Sequence, residues 1–189
     1  MVELLVALAI VAVLAALAFP AYAYIRQKEA ALQCGNTLRQ WDQAFLLYAT
    51  EHEGALPTAT PVVSDWQDAI APYLVHLAGY YISYPRYALR TQMHCPNNKV
   101  VGWAYGTNRN LLSAYTANPI RTMAGFVHPA RTLLLTETDN DGVASTASNL
   151  TTGINYVRHQ NQANIAFADG HLEFLTAPQA AASVLLIPN

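Results

Sequence analysis

The fold of this chain is decided by residues 1–25, which read MVELLVALAIVAVLAALAFPAYAYI. Between Val2 and Ile25 the sole charged residue is Glu3 and the sole proline is Pro20. A helix needs about 20 apolar residues to cross the hydrocarbon core of a bilayer. The apolar part of a secretory signal peptide is shorter, about 7–15 residues, so a signal peptide fits this run less well. The composition therefore predicts a helix that can span a membrane.

A plain membrane anchor does not account for Glu3. On insertion scales a charged side chain inside the membrane costs about 2.5–3.5 kcal/mol unless it is paired or lies near the interface. The nearest partner for this carboxylate is a terminal ammonium, either that of Met1 or that of an identical neighbouring chain. The other interpretation places Glu3 among lipid headgroups, where it has no role. The residues alone leave both open.

The segment resembles the N-terminus of type IV pilins and type II secretion pseudopilins. The resemblance rests on Glu3 before Leu4-Leu5-Val6, on the apolar run, and on Phe19-Pro20-Ala21-Tyr22. It implies that Glu3 neutralises the terminal amine of an adjacent subunit when the helices pack into a filament core. It also implies a membrane-bound precursor, a prepilin peptidase and an inner-membrane assembly platform as partners.

Two features depart from that family's pattern. Mature family members usually begin with an N-methylated Phe four residues before the acid, whereas two residues precede Glu3 here. The true first residue and its methylation therefore stay open. Ala12 also stands where many pilins have Gly, which leaves open any local melting of the helix before Pro20.

Charge and motifs exclude several classes of function. Charged residues make up 12% of the 189 residues and the net charge is -2, so we expect no nucleic-acid partner. The sequence has no nucleophile elbow, P-loop, HExxH motif or dinucleotide fingerprint. We therefore expect no enzymatic activity and no required cofactor.

Past residue 25 the helix is predicted to continue as an amphipathic segment, 26–53, before a globular domain, 54–189. Gly54 and Pro57 are predicted to end it. One side carries apolar residues at spacings of three and four, which predicts a stripe that packs on the domain. The stripe comprises Ala31, Cys34, Leu38, Trp41, Phe45 and Tyr48, and Asp42 is among the polar residues assigned to the wet side.

The globular part is predicted to contain a short helix from Ser64 and two strands, VVGWAYG and TLLLTE. Its clearest signal is a hairpin within 163–175, where Asp169-Gly170 separates two alternating runs. A two-residue turn would pair Phe167 with Leu172 and Ile165 with Phe174, with all four on one face. The whole predicts a pilin-like α+β fold, a long helix packed on an antiparallel sheet.

The C-terminal region adds a second resemblance. In RHQNQANIAFADGH, His159 is followed by nine residues and then Asp169-Gly170. This is similar to the H-X9-DG motif of a prepilin-like family, whose middle segments also resemble QCGNTLRQWDQAFLLYATEHEGALP, HCPNN and YGTNRNLL. The resemblance covers most of the chain and implies a fold more than a role.

Cys34 and Cys95 are the two cysteines of the chain. An exported domain lies in an oxidising compartment, so a disulfide between the long helix and the loop MHCPNN is expected. The alternative is a buried free thiol at Cys34.

Two sets of residues invite a metal-site interpretation. Imidazoles and carboxylates could hold zinc, but the spacing matches no closed zinc pattern. The structural alternative is that Asp169 forms the turn and that His159 hydrogen-bonds to it. This first set comprises Glu137, His159, Asp169, His171 and Glu173. The second set, Glu137, Asp139 and Asp141, could bind calcium, as the resemblance to major pseudopilins also implies; the alternative is a solvated acidic turn.

The sequence leaves three functions open. The first is a structural subunit of an extracellular type IV pilus-like filament, held in the inner membrane before assembly. The second is the major pseudopilin of a type II secretion system, in a periplasmic pseudopilus. The third is a membrane-anchored binding domain that does not polymerise, which explains Glu3 and Pro20 together least well.

Overall fold

The structure, a computed structural model, describes residues 2–57, 65–78, 95–97, 104–111, 122–138, 143–144 and 153–185. In chain order its helices and strands are α1 (Val2–Glu51), α2 (Asp65–Ala78), β1 (Tyr105–Asn108), β2 (Leu133–Glu137), β3 (Val143–Ala144), β4 (Gln162–Phe167), β5 (Leu172–Thr176) and α3 (Ala177–Ser183). Short 3-10 turns lie at Arg109–Leu111, Met123–Gly125, Pro129–Arg131 and Val157–His159. The α+β class predicted from the sequence is confirmed.

Helix α1 contains 50 residues and runs through Pro20 as one continuous helix. At 1.5 Å per residue it is about 75 Å long. It ends where the sequence predicts, because Glu53 and Gly54 take left-handed φ values of 56° and 83°. The Gly54 amide donates to the Ala49 carbonyl at 2.7 Å, which closes the last turn.

The second half of α1 packs on the globular part through the predicted stripe. Its apolar residues Ala31, Cys34, Leu38, Trp41 and Phe45 are buried, and Tyr48 is half-buried. Asp42, assigned to the wet side, is also buried, so that assignment is wrong. Asp42 lies one helical turn after Leu38, at the edge of the stripe, and the tip of the C-terminal hairpin covers it.

The five strands form one sheet in the order β3-β1-β2-β4-β5. Strands β1, β2, β4 and β5 pair antiparallel, and β3 pairs with β1 in parallel at the edge. Helices α1 and α2 cover one face, where the rings of Trp41 and Trp66 lie 5.6 Å apart. Helix α3 covers the other face through Ala180, together with Ile154 and Tyr156. Both faces of the sheet are thereby shielded from water.

The C-terminal hairpin forms as predicted, but its predicted register is wrong. Ala166 lies opposite Leu172, and Asn164 lies opposite Phe174. The Phe167 amide donates to the His171 carbonyl at 3.0 Å, so three residues form the loop where two were predicted. One extra residue turns every side chain of β5 to the opposite face. Leu172 therefore packs with the α1 core, whereas Ile165 and Phe167 belong to the α3 core.

Candidate functional site

The first half of α1 projects from the globular part. Every side chain from Val2 to Gln27 is exposed, including that of Glu3. The helix is long and apolar enough to cross a membrane, by length and composition. Pro20 lies within this half, and Met1 lies outside the described residues. A row of exposed Leu, Val, Ile and Phe side chains is unstable in water, so lipid or other protein must cover it.

A disulfide ties α1 to the turn at 95–97. Cys34 and Cys95 are joined with a Cα–Cα distance of 5.0 Å across 61 residues of sequence, and both are buried. Asn97 joins the same turn to the 3-10 turn at Val157–His159, since its Nδ2 donates to the Arg158 carbonyl at 3.1 Å. The disulfide predicted from the sequence is thus present, and Cys34 is not a free thiol.

His159 lies beneath this disulfide in a buried pocket of the core. Its Nε2 atom is 3.4 Å from Sγ of Cys95 and 3.3 Å from Oε1 of Glu137. The side chains of His159 and Glu137 are both fully buried. Among the residues that the structure describes, Nδ1 of His159 and Oε2 of Glu137 have no hydrogen-bond partner. Two polar atoms that lack partners in a core are costly, so this pocket is chemically unusual.

Asn164 connects this pocket to the long helix. Its Nδ2 donates to Oε1 of Glu137 at 2.7 Å and to the Ala31 carbonyl at 3.2 Å. Its amide lies against Gly35, where an added Cβ would be 2.8 Å from Oδ1. The glycine therefore permits the close approach of α1 and β4. Sequence reasoning missed Asn164, although its place between apolar residues in ANIAF was a usable signal.

The structure separates the residues of the proposed zinc set into two groups. His159 and Glu137 lie in the core, whereas Asp169, His171 and Glu173 lie at the exposed hairpin tip. The expected hydrogen bond from His159 to the turn is absent, because His159 contacts Glu137 and Cys95 instead. His159 lies in the 3-10 turn Val157–His159.

Of the three candidate calcium ligands, the structure describes Glu137. The carboxylate of Glu137 is buried beside His159 and Asn164, and it accepts a hydrogen bond there. Asp139 and Asp141 lie outside the described residues. Within the described part, Glu137 therefore belongs to the buried pocket.

The hairpin tip is held by an ion pair and a close approach to α1. Oδ1 of Asp169 accepts from Nδ1 of His171 at 2.5 Å and from the His171 amide at 3.2 Å. Partial burial favours the neutral carboxyl, but the bonds from His171 outweigh it and lower the pKa of Asp169. Gly170 has a φ of 93°, and a Cβ there would lie 3.2 Å from Cδ1 of Leu46. Glycine therefore serves both the turn and the packing.

Asp42 lies beneath this tip, and its Oδ1 atom has no hydrogen-bond partner within the part of the chain that the structure describes. Burial raises the pKa of its carboxyl to about 7, and the nearby Asp169 carboxylate adds to the rise. Electrostatic interactions with His171 and Arg39 act in the opposite direction. Asp42 is therefore a buried acid that titrates near neutral pH.

The comparisons with known proteins add no family to this geometry. No protein-family model, no curated protein and no solved structure matches the chain.

Proposed function

We propose that this chain is a structural subunit that polymerises through the first half of α1 into a pilus-like filament. The observation that carries the proposal is the projecting apolar segment, in which every described side chain up to Gln27 is exposed and Glu3 is the one charge before Arg26. Lipid would cover this segment in the unassembled chain. In the filament, the same segment of neighbouring copies would cover it.

Glu3 would set the axial register between subunits. A buried carboxylate without a partner is strongly unfavourable, whereas one paired with a terminal ammonium is tolerated. Only the stagger that brings Glu3 to a neighbour's terminal amine satisfies both charges. Prepilin peptidase and an inner-membrane assembly platform are the partners that this function requires, and we propose no catalytic role for the chain itself.

The globular part would form the outer layer of such a filament. Its core is tied to α1 by the Cys34–Cys95 disulfide and by the hydrogen bond of Asn164 to Ala31. The helix and the sheet therefore move together, so a force applied along the helix is transmitted to the domain. An extracellular pilus and a periplasmic pseudopilus both need this property.

A pair of matched substitutions tests the proposal. Glu3→Gln removes the charge and keeps the shape, and Glu29→Gln makes the same change at an exposed glutamate beyond the apolar half. We expect Glu3→Gln to leave the domain folded and membrane-bound but to reduce filament number at least about tenfold. Glu29→Gln should leave filament number unchanged. Normal filaments in the Glu3→Gln strain would contradict the proposal.

A further inference from the structure

The buried pocket around His159 contains the donor set of a soft metal site. Sγ of Cys34, Sγ of Cys95 and one ring nitrogen of His159 all lie within 4.8 Å of one another, and all three residues are buried. Glu137 adds a carboxylate 3.3 Å from the imidazole. Two sulfurs, one imidazole and one carboxylate are ligands that zinc accepts in tetrahedral sites.

We propose that the Cys34–Cys95 disulfide and a zinc site are alternative states of this pocket. In the reduced chain, Zn2+ binds to both thiolates and to Nε2 of His159, and Glu137 supplies the fourth ligand. This inference does not rest on filament assembly.

The distances in the oxidised structure already approach those of such a site. Zinc bonds of about 2.1 Å to nitrogen and oxygen and about 2.3 Å to sulfur place tetrahedral N and O ligands about 3.4 Å apart, and N and S ligands about 3.6 Å apart. The observed distances from Nε2 of His159 are 3.3 Å to Oε1 of Glu137 and 3.4 Å to Sγ of Cys95. Two movements are needed. The sulfurs must separate, which reduction permits, and the Glu137 carboxylate, which lies outside the group of ligand atoms within 4.8 Å of one another, must turn its Oε2 toward the thiolates.

The polar atoms without partners support the same conclusion. Oε2 of Glu137 has no hydrogen-bond partner among the described residues, although it is fully buried. A carboxylate oxygen in this state pays the cost of desolvation without compensation. A zinc ion beside it would supply that compensation. Asn164 holds the other carboxylate oxygen, Oε1, at 2.7 Å, which is the kind of outer contact that orients a metal ligand.

The ligand segments are held together by bonds other than the disulfide. Asn97 joins the Cys95 turn to the His159 turn through the Arg158 carbonyl. Asn164 joins β4 to α1 through the Ala31 carbonyl, one turn before Cys34. Arg158 donates to the carbonyls of Ala104 and Thr138, which fixes the 3-10 turn that carries His159. Reduction should therefore leave the four ligands close together.

A surface cavity lies next to the turn that carries Cys95. A cavity of about 310 Å3 lies between α1 and the turn at 95–97, and its lining includes Gln33, Pro96 and Asn97. Gln33 and Pro96 are the sequence neighbours of the two cysteines. In this proposal the ion would approach from this cavity, which is lined by sequence neighbours of the cysteines and not by the four ligands themselves.

The chemistry of the exchange balances. A dithiol or phosphine reductant supplies two electrons, the S–S bond breaks, and two protons give two thiols. Zinc then displaces both thiol protons, so about two protons are released for each ion bound. A small-molecule or protein disulfide in an exported compartment would accept the two electrons by thiol–disulfide exchange, the Cys34–Cys95 bond would form again, and the ion would leave. The zinc state therefore belongs to a reducing environment.

Spectroscopy of the full chain in detergent micelles tests the proposal with Co2+ in place of Zn2+. The chain is reduced with a phosphine, the reductant is removed without air, and cobalt is added; an untreated portion serves as the oxidised control. We expect one Co2+ per reduced chain, with a thiolate charge-transfer band and tetrahedral d–d bands that Zn2+ abolishes. The oxidised chain should give no such bands.

Matched histidine variants identify the ligand. His159→Gln should weaken cobalt and zinc binding at least about tenfold, whereas His171→Gln at the exposed tip should leave both unchanged. A reduced wild-type chain that binds no ion at micromolar concentration, whether folded or not, would overturn the proposal. Equal bands in the oxidised and reduced chains, or an undiminished band in His159→Gln, would overturn it as well.

Discussion

The buried Asp42 makes the stability of the domain depend on pH in a direction opposite to that of most carboxylates. Burial raises the pKa of this carboxyl from 3.8 to about 7, so the folded chain binds a proton that the unfolded chain has released. Between about pH 4 and pH 7 the folded state therefore holds more protons, and its stability falls as the pH rises. The loss is complete about one pH unit above the folded-state pKa, near pH 8.

The size of the effect follows from the same values. A rise from 3.8 to about 7 corresponds to up to about 4 kcal/mol of lost stability, since each pKa unit is worth about 1.4 kcal/mol. Asp42→Asn keeps the shape of the side chain and removes the titration. We expect this variant to unfold with a free energy up to about 4 kcal/mol above that of the wild type at pH 8. The free energies of unfolding of the variant and the wild type should become equal near pH 4.

Urea unfolding in detergent, followed by tryptophan fluorescence, measures this difference. Trp41 adjoins Asp42 in the sequence, and its ring lies 5.6 Å from that of Trp66 in the core, so the signal reports the relevant region. Glu29→Gln is the control, because Glu29 is exposed and the variant should follow the wild-type profile. Parallel pH profiles for wild type and Asp42→Asn would refute the reasoning, because the carboxyl would then titrate alike in the folded and unfolded states.

Two further predictions concern the junction of α1 with the sheet. Gly→Ala inside a helix usually stabilises by about 1 kcal/mol, but Gly35→Ala should destabilise by about 1–3 kcal/mol because its Cβ would lie 2.8 Å from Oδ1 of Asn164. Urea unfolding measures this loss, and Asn36→Ala at an exposed neighbouring position is the control. Equal stability of the two variants would contradict the prediction, because it would mean that α1 and β4 can move apart to admit the Cβ. Reduction of the disulfide without added metal should lower the free energy of unfolding by about 4 kcal/mol, given the sequence separation of 61 between the cysteines. An unchanged urea midpoint after complete reduction would contradict that value, and added zinc should restore part of the loss.

Local patterns predicted the long helix and its ends. The period of apolar residues fixes the buried face of a helix without knowledge of the rest of the fold, so the stripe from Ala31 to Phe45 was predictable. Gly54 could be read as a stop because a left-handed conformation favours glycine. The disulfide was predictable because two cysteines allow one pairing within the chain and an exported domain lies in an oxidising compartment.

Features that depend on tertiary packing were not predictable. Asp42 is buried because the hairpin tip lies over it, and the sequence near residue 42 does not predict that contact. The register of the hairpin depends on whether Ala168 pairs with β5 or belongs to the loop. The alternation of apolar and polar residues does not distinguish these two cases. His159 meets Glu137 only because β2 pairs with β4, so the buried pocket required the register of both strands.

The central claim is that the projecting half of α1 builds a filament. It is tested most directly by shearing the surface of cells that produce the chain and examining the released fraction by electron microscopy and mass spectrometry. Long filaments made of this chain, with the mass of its true N-terminal residue and any methyl group, are the predicted result. A chain that stays with the envelope in wild-type cells and forms no filaments, long or short, would contradict the claim.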